Sequence, residues 1–198
     1  MGKISQKKQA FTEQLIRESV YTAVLQVLSS HGLEKLTIQR VAAAANLATG
    51  TLYNYFKDKD ALLVYAAVRM FDQLYQRQNE VALLAIPPLK KLQAFVETTF
   101  DFFNKNDAFF RFLDQAQVYC KMDMAVKRSH LDKETKLLAS VIEEGIKNSD
   151  FKAVNSQNTA IFFHRAIIGI LCVNPELGEF DPGKEARQLT KMFRTFLT

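Results

Sequence analysis

Between Leu36 and Lys59 the chain reads LTIQRVAAAANLATGTLYNYFKDK, and its residue types and spacing suit the recognition of nucleic acid. Two short runs with helical spacing are joined by a tight turn, the geometry of a helix-turn-helix. Thr37 is suited to cap the first run. Ile38, Val41, Ala42 and Ala45 form its inner stripe, and the alanines 42–45 let another helix approach closely. Asn46 stands where the turn needs a left-handed backbone, which Asn tolerates better than most residues. On a wheel at about 100° per residue, Leu52 and Phe56 of the second run fall together and face the core. Asn54 lies opposite them, Gly50 and Thr51 beside it, and Tyr53 and Tyr55 on the flanks. Lys57 and Lys59 follow at once. Small residues let such a helix sink into a major groove. Asn and Thr can hydrogen-bond base edges, while phenols and ammonium groups take phosphates.

Other chemistry is poorly served. The chain has no P-loop, GxSxG, HExxH or GxGxxG pattern. His31, His130 and His164 have no catalytic or metal-binding spacing, and Met122 and Met124 read as packing residues. An enzyme is therefore not expected, nor a cofactor or a metal. Cys120 and Cys172 sit in apolar helical stretches, which predicts two buried thiols and no disulfide scaffold.

The elements that must position this stretch read as helix throughout. Only 7 Gly and 4 Pro occur in 198 residues, and no strand is expected. The periodicity predicts an all-α protein of about nine helices, with a small N-terminal bundle (1–57) and a larger C-terminal one (58–198). His31-Gly32 stops the first helix. The second spans about Thr37–Ala45 and the third Ala48–Phe56. The fourth runs from about Asp58 to Leu84. Pro87-Pro88 opens the fifth, Asn106-Asp107 a sixth that ends near Cys120, and Asp181-Pro182 the last. The net charge is +5. Residues 1–60 hold eight Lys/Arg and five Asp/Glu, a net of 8 − 5 = +3. That favours an anionic partner only mildly. Lys3, Lys7 and Lys8 make a basic N-terminal arm, either a solvated tail or a contact to phosphates or the minor groove. MGKISQKKQAF carries no apolar leader, and the longest apolar run, Ala166 to Val173, falls far short of the roughly twenty residues of a membrane span. A cytoplasmic protein without membrane contact is expected.

The run from Thr37 to Ala42, Asn46-Leu47, and the run from Thr49 to Lys59 together closely resemble the DNA-binding signature of TetR/AcrR-type bacterial transcriptional regulators, T-x-x-x-x-A followed by G-T-L-Y-x-[YH]-F-x-x-K. The likeness covers about residues 10–65. It implies a homodimer with two recognition helices in successive major grooves of a pseudo-palindromic double-stranded operator. Carried over by position, it implies that Gln39, Thr49, Thr51 and Asn54 read bases and that Gly50 allows close backbone approach. It assigns phosphates to Thr37, Tyr53, Tyr55 and Lys59, with Lys57 beside them. The chain departs from the pattern at Asn46, where Gly is usual, and at Ala48, where a Ser-like cap is usual. Thr49 is the alternative cap one residue later.

Seven of the sixteen phenylalanines fall between Phe95 and Phe112. Two readings stand: a packed aromatic core, or an apolar cavity for a small effector. The residues expected to line such a cavity are Val68, Phe71, Phe100, Phe103, Phe110, Tyr119 and His164. His164 reads either as a polar anchor for the effector or as a satisfied structural residue. The last two helices carry apolar stripes, Ala160, Phe163, Ile167, Ile170 and Leu171, then Leu189, Phe193 and Phe196. These suit a four-helix dimer contact or burial within one protomer. The expected function is a repressor relieved by an apolar or aromatic effector. The alternative is a helical carrier or sensor of lipophilic molecules that does not bind DNA.

Overall fold

The computed structural model describes residues 3–173 and 181–198, and among these every regular element is an α-helix. The side chains of Lys3, Ile4, Ser5 and Val173 lie outside the described residues. In chain order the helices are α1 (Lys3–His31), α2 (Ile38–Ala44), α3 (Thr49–Tyr53), α4 (Lys59–Ala82), α5 (Pro88–Lys105), α6 (Asp107–Gln115), α7 (Val118–Lys121), α8 (Met124–Lys147), α9 (Ser156–Val173) and α10 (Pro182–Leu197).

Local chemistry sets most boundaries. Gly32, at φ +75°, ends α1. Thr37 caps α2 by accepting a hydrogen bond from the Arg40 amide at 3.2 Å. The Asp58 carboxylate accepts from the Ala61 amide at 2.8 Å where α4 begins. Pro88 opens α5, and Asp123 and Asp181 cap α8 and α10. The stretch expected to be one sixth helix is two. Gln117 adopts φ 50°, ψ 40°, the left-handed region, and separates α6 from α7. α3 starts at Thr49 with Ala48 as an uncapped N-cap, so Thr49 does not take over the capping.

The chain folds as two compact units, Met1–Met70 with Ala108–Met122, and Phe71–Asp107 with Asp123–Thr198. α4 contributes its first half to one and its second half to the other. The core of the first unit gathers Val20, Val24 and Leu28 of α1, Val41 and Ala42 of α2, Leu52, and Leu62, Leu63 and Met70 of α4, all at most 2% exposed. The arm expected at the N-terminus is the first turns of α1.

The second unit centres on Phe95, Val96 and Phe100 of α5, Leu138 and Ile142 of α8, Phe163 and Ile167 of α9, and Leu189 and Phe193 of α10. Phe163 and Phe193 stack with centroids 3.5 Å apart. Lys91 is buried on α5, and its ammonium donates to both Glu144 oxygens at 2.9 and 2.7 Å. That pairing spans 53 positions and has no sequence signature.

Candidate nucleic-acid interface

α3 has five residues, too few to be helical on propensity alone. Tertiary burial holds it. Leu52 is fully buried and Phe56 is 3% exposed. Burying a side chain of this size stabilises by about 1.5–3 kcal/mol, and that fixes the roll of the helix. Gly50, Tyr53 and Asn54 are consequently exposed, with Thr49, Thr51 and Tyr55 half-buried beside them. A Cβ built on Gly50 meets nothing within 4 Å. The turn before α3 uses Asn46 at φ 55°, as its residue type predicts. Its neighbour's amide, Leu47, donates to the Ala42 carbonyl at 2.9 Å and closes the turn.

The expected phosphate residues divide by what else they do. The Thr37 hydroxyl oxygen accepts from the Arg40 amide, which leaves its own proton to donate outward. Gln39 and Arg40 are exposed beside it on α2, and Lys57 is exposed after α3. Lys59 is half-buried, and its ammonium donates to the Leu33 carbonyl at 2.5 Å. One of its three protons therefore holds the turn after α1, which positions the first residue of α4.

Arg17 was not legible as a site residue. Its guanidinium lies 5.6, 5.9 and 5.7 Å from the ring centroids of Tyr55, Phe56 and Tyr65, and it pairs with Glu13 at 3.0 Å. It so braces the ring of Tyr55 at the end of α3. Burial raises the Tyr65 phenol above its ordinary value, outweighing the Arg69 and Arg17 cations that lower it. Only the Glu13–Arg17 spacing of four hinted at any order here.

The residues expected to line an effector cavity are not gathered into one unit. Val68, Phe110 and Tyr119 belong to the first, Phe71, Phe100, Phe103 and His164 to the second. Phe100 is 1% exposed in the packed core, and Phe103 packs against it. Tyr119 is 64% exposed. His164 Nε2 lies 2.7 Å from Glu134 Oε2, so a neighbouring carboxylate already satisfies the ring. The clefts on Lys8, Gln9, Thr12, Glu13 and Tyr55 and on the outer face of α8 involve none of the seven. Both cysteines are exposed, against expectation, because they stand on the outer sides of α7 and α9. No group of three His, Cys, Asp or Glu suited to a metal occurs among the described residues. No described helix is long and apolar enough to cross a membrane.

Of the two readings of the apolar stripes, burial within one protomer describes most of these residues. Ala160, Phe163, Ile167, Leu171, Leu189 and Phe193 are at most 7% exposed within one protomer, because they form the core between α5, α8, α9 and α10. Ile170 is half-buried against the same core. Phe196 alone of the eight is exposed. The other large apolar side chains facing outward from these helices are Phe162 and Met192.

Residues 21–71 match the family model for bacterial regulatory proteins of the tetR family. The HTH-type transcriptional repressor KstR of Mycobacterium tuberculosis is 27% identical over 134 residues, 68% of this chain and 60% of that protein. An uncharacterized HTH-type transcriptional regulator of Haemophilus influenzae is 39% identical over 64 residues, 32% of this chain and 33% of that protein. The chain thus spans about 60% of the length of its KstR relative. Among solved structures, a TetR/AcrR-family regulator of Thermobifida fusca superposes with a TM-score of 0.72 at 15% identity, covering 90% of this chain and 96% of that one. FadR of Bacillus subtilis, solved in complex with stearoyl-CoA, gives 0.71 at 15% identity over 91% and 99%. At that identity the likeness is one of fold.

Proposed function

We propose, because residues 21–71 match the tetR family of bacterial regulatory proteins, that the chain is a sequence-specific DNA-binding transcriptional repressor of that family, a cytoplasmic homodimer released from its operator by a small apolar effector. The observation that carries this reading is the exposed Gly50–Asn54 edge of α3, held outward by the burial of Leu52 and Phe56. Asn54, Thr51, Thr49 and Gln39 then read base edges, and Thr37, Tyr53, Tyr55, Lys57 and Lys59 hold phosphates. The division of labour is at residue 57, with DNA reading before it and effector binding and dimerisation after it. None of this requires catalysis, and we assign no enzymatic activity.

Release requires a ligand that prefers the form unable to bind DNA. α4 is the element for this, since one continuous helix supplies residues to both compact units. Two recognition helices must stand about 34–36 Å apart to enter successive grooves, so a modest change in α4 is enough to lose the register. The aromatic C-terminal unit suits an apolar effector. A long-chain acyl thioester such as stearoyl-CoA, the ligand of the FadR structure, is the first to test. The dimer face on this reading is the outer side of α9 and α10, with Phe162, Met192 and Phe196. Gly169, where an added Cβ meets nothing within 4 Å, allows another helix to come close. Replacing Phe162 and Met192 together by Asp should leave the protomer's stability within about 0.5 kcal/mol, as usual for surface positions. It should weaken self-association at least about tenfold by light scattering. An unchanged dimer would move the interface elsewhere.

The direct test is selection of duplexes from a random pool, followed by gel-shift titration at about 150 mM salt. The wild type should enrich a pseudo-palindrome. Asn54→Ala should relax the preference at one position by about 1–3 kcal/mol. Lys57→Ala should weaken all sequences alike and reduce the salt slope by about one for each protomer, about two for the bound dimer. Absence of any sequence preference in the wild type would refute the regulator reading and leave a helical ligand carrier.

A further inference from the structure

A cleft of about 360 Å³ is lined by Lys8, Gln9, Thr12, Glu13 and Tyr55. Four of these stand on α1, and the fifth directly follows the exposed Asn54 at the end of the recognition segment. We propose that this cleft seats one backbone phosphate of the bound duplex, gripped by the Lys8 ammonium and the Tyr55 phenol. The first turns of α1 would then extend the phosphate contacts past α3.

The argument is electrostatic and geometric, and it rests on the DNA-binding reading above. Lys8 is exposed and pairs with no carboxylate among the described residues. The one acid in the cleft, Glu13, is neutralised by Arg17 at 3.0 Å. The same Arg17 lies over the Tyr55 ring and fixes it as one wall. The Thr12 hydroxyl donates to the Lys8 carbonyl at 2.9 Å and so tightens the α1 turn that bears the lysine. The remaining lining residues, Lys8, Gln9 and Tyr55, carry a cation, an amide and a phenol, all hydrogen-bond donors suited to a phosphodiester oxygen. Because α1 is helical from Lys3 onward, Lys8 is carried on a preformed element and loses less entropy on binding than a disordered tail would. DNA is the favoured source of the phosphate because the far wall is continuous with the edge that reads bases. The exposed Phe11 and Leu15 on the same helix make an anionic membrane the rival partner.

The test uses the full-length protein and a 40-bp duplex recovered by random-pool selection on the wild type. Lys8→Gln retains helix propensity, so circular dichroism should be unchanged. It should weaken binding without altering base preference and lower the log–log salt slope by about 0.9 for each protomer, about 1.8 for the bound dimer. The deficit against wild type should therefore shrink about 12-fold between 50 and 200 mM salt. Lys8→Arg should restore the slope, and Tyr55→Phe should cost less affinity in the Lys8→Gln background than in the wild type. Equal slopes for Lys8→Gln and a specifically binding wild type overturn the proposal alone. A wild type without DNA affinity overturns it together with the regulator reading. Loss of flotation on phosphatidylglycerol vesicles, with DNA slopes unchanged, assigns the helix to a membrane surface and also overturns it.

Discussion

Gly50→Ala should make the protein more stable and a much poorer DNA binder. Position 50 lies inside α3, is exposed, and offers open space to a new methyl group. Gly in a helix interior is less favourable than Ala by about 0.8–1.0 kcal/mol. The gain here should be somewhat smaller, roughly 0.5 kcal/mol, because the helix has barely more than one turn. If α3 enters a major groove with this edge foremost, the methyl group holds the helix off the bases. Losing one well-formed base contact costs about 1–3 kcal/mol, a roughly five- to 150-fold fall in affinity. Opposite signs in the two measurements, denaturation and gel shift, separate a recognition role from a packing role. A variant that is more stable and binds its selected duplex as well as wild type would remove Gly50 from the interface.

Gly145→Ala should destabilise the second unit strongly, since of its described glycines this one has a ring where a Cβ would sit. Gly145 is buried on α8, and a Cβ there would overlap the Cγ, Cδ2 and Cε2 atoms of the Phe151 ring. The ring cannot shift freely, because the Asp150 and Phe151 amides both donate to the Gly145 carbonyl, at 2.9 and 3.1 Å, and fold the chain back over the helix end. Ser149 makes that reversal possible at φ 61°. Alanine would improve helix propensity by up to about 1 kcal/mol. Displacing a buried Phe costs about 3–5 kcal/mol, so the net loss should be roughly 2–4 kcal/mol by urea denaturation. Phe151→Ala should cost a similar amount, and the double variant little more than Phe151→Ala alone, since one side chain accounts for both effects. Additive losses would show that the ring is not what excludes a side chain at position 145.

The candidate site was legible to the extent that its geometry is local. Leu52 and Phe56, four apart, had to share a face, and that alone turned Gly50 and Asn54 outward. Thr37 and Asp181 declared their helices by capping chemistry, and Asn46 declared its turn by tolerance of a left-handed backbone. The bracing of Tyr55 by Arg17, 38 positions earlier, had no such signal, because a cation lying over a ring leaves no spacing to detect. Gln117 hid the break between α6 and α7 for a related reason: nothing in its side chain asks for a positive φ.

The apolar stripes of α9 and α10 mark the limit. Phe162 and Phe163 are neighbours of the same type, yet one is 63% exposed and the other fully buried. Periodicity determined that these are helices with apolar faces, and likewise that α3 presents Gly50 and Asn54. Which face meets its own protomer was decided only in the tertiary structure, where Phe163 stacks on Phe193 and leaves Phe162 outside. The physical reason is that hydrophobic burial is not directional: a sequence can encode that a surface must leave water, but only the packed chain settles what covers it.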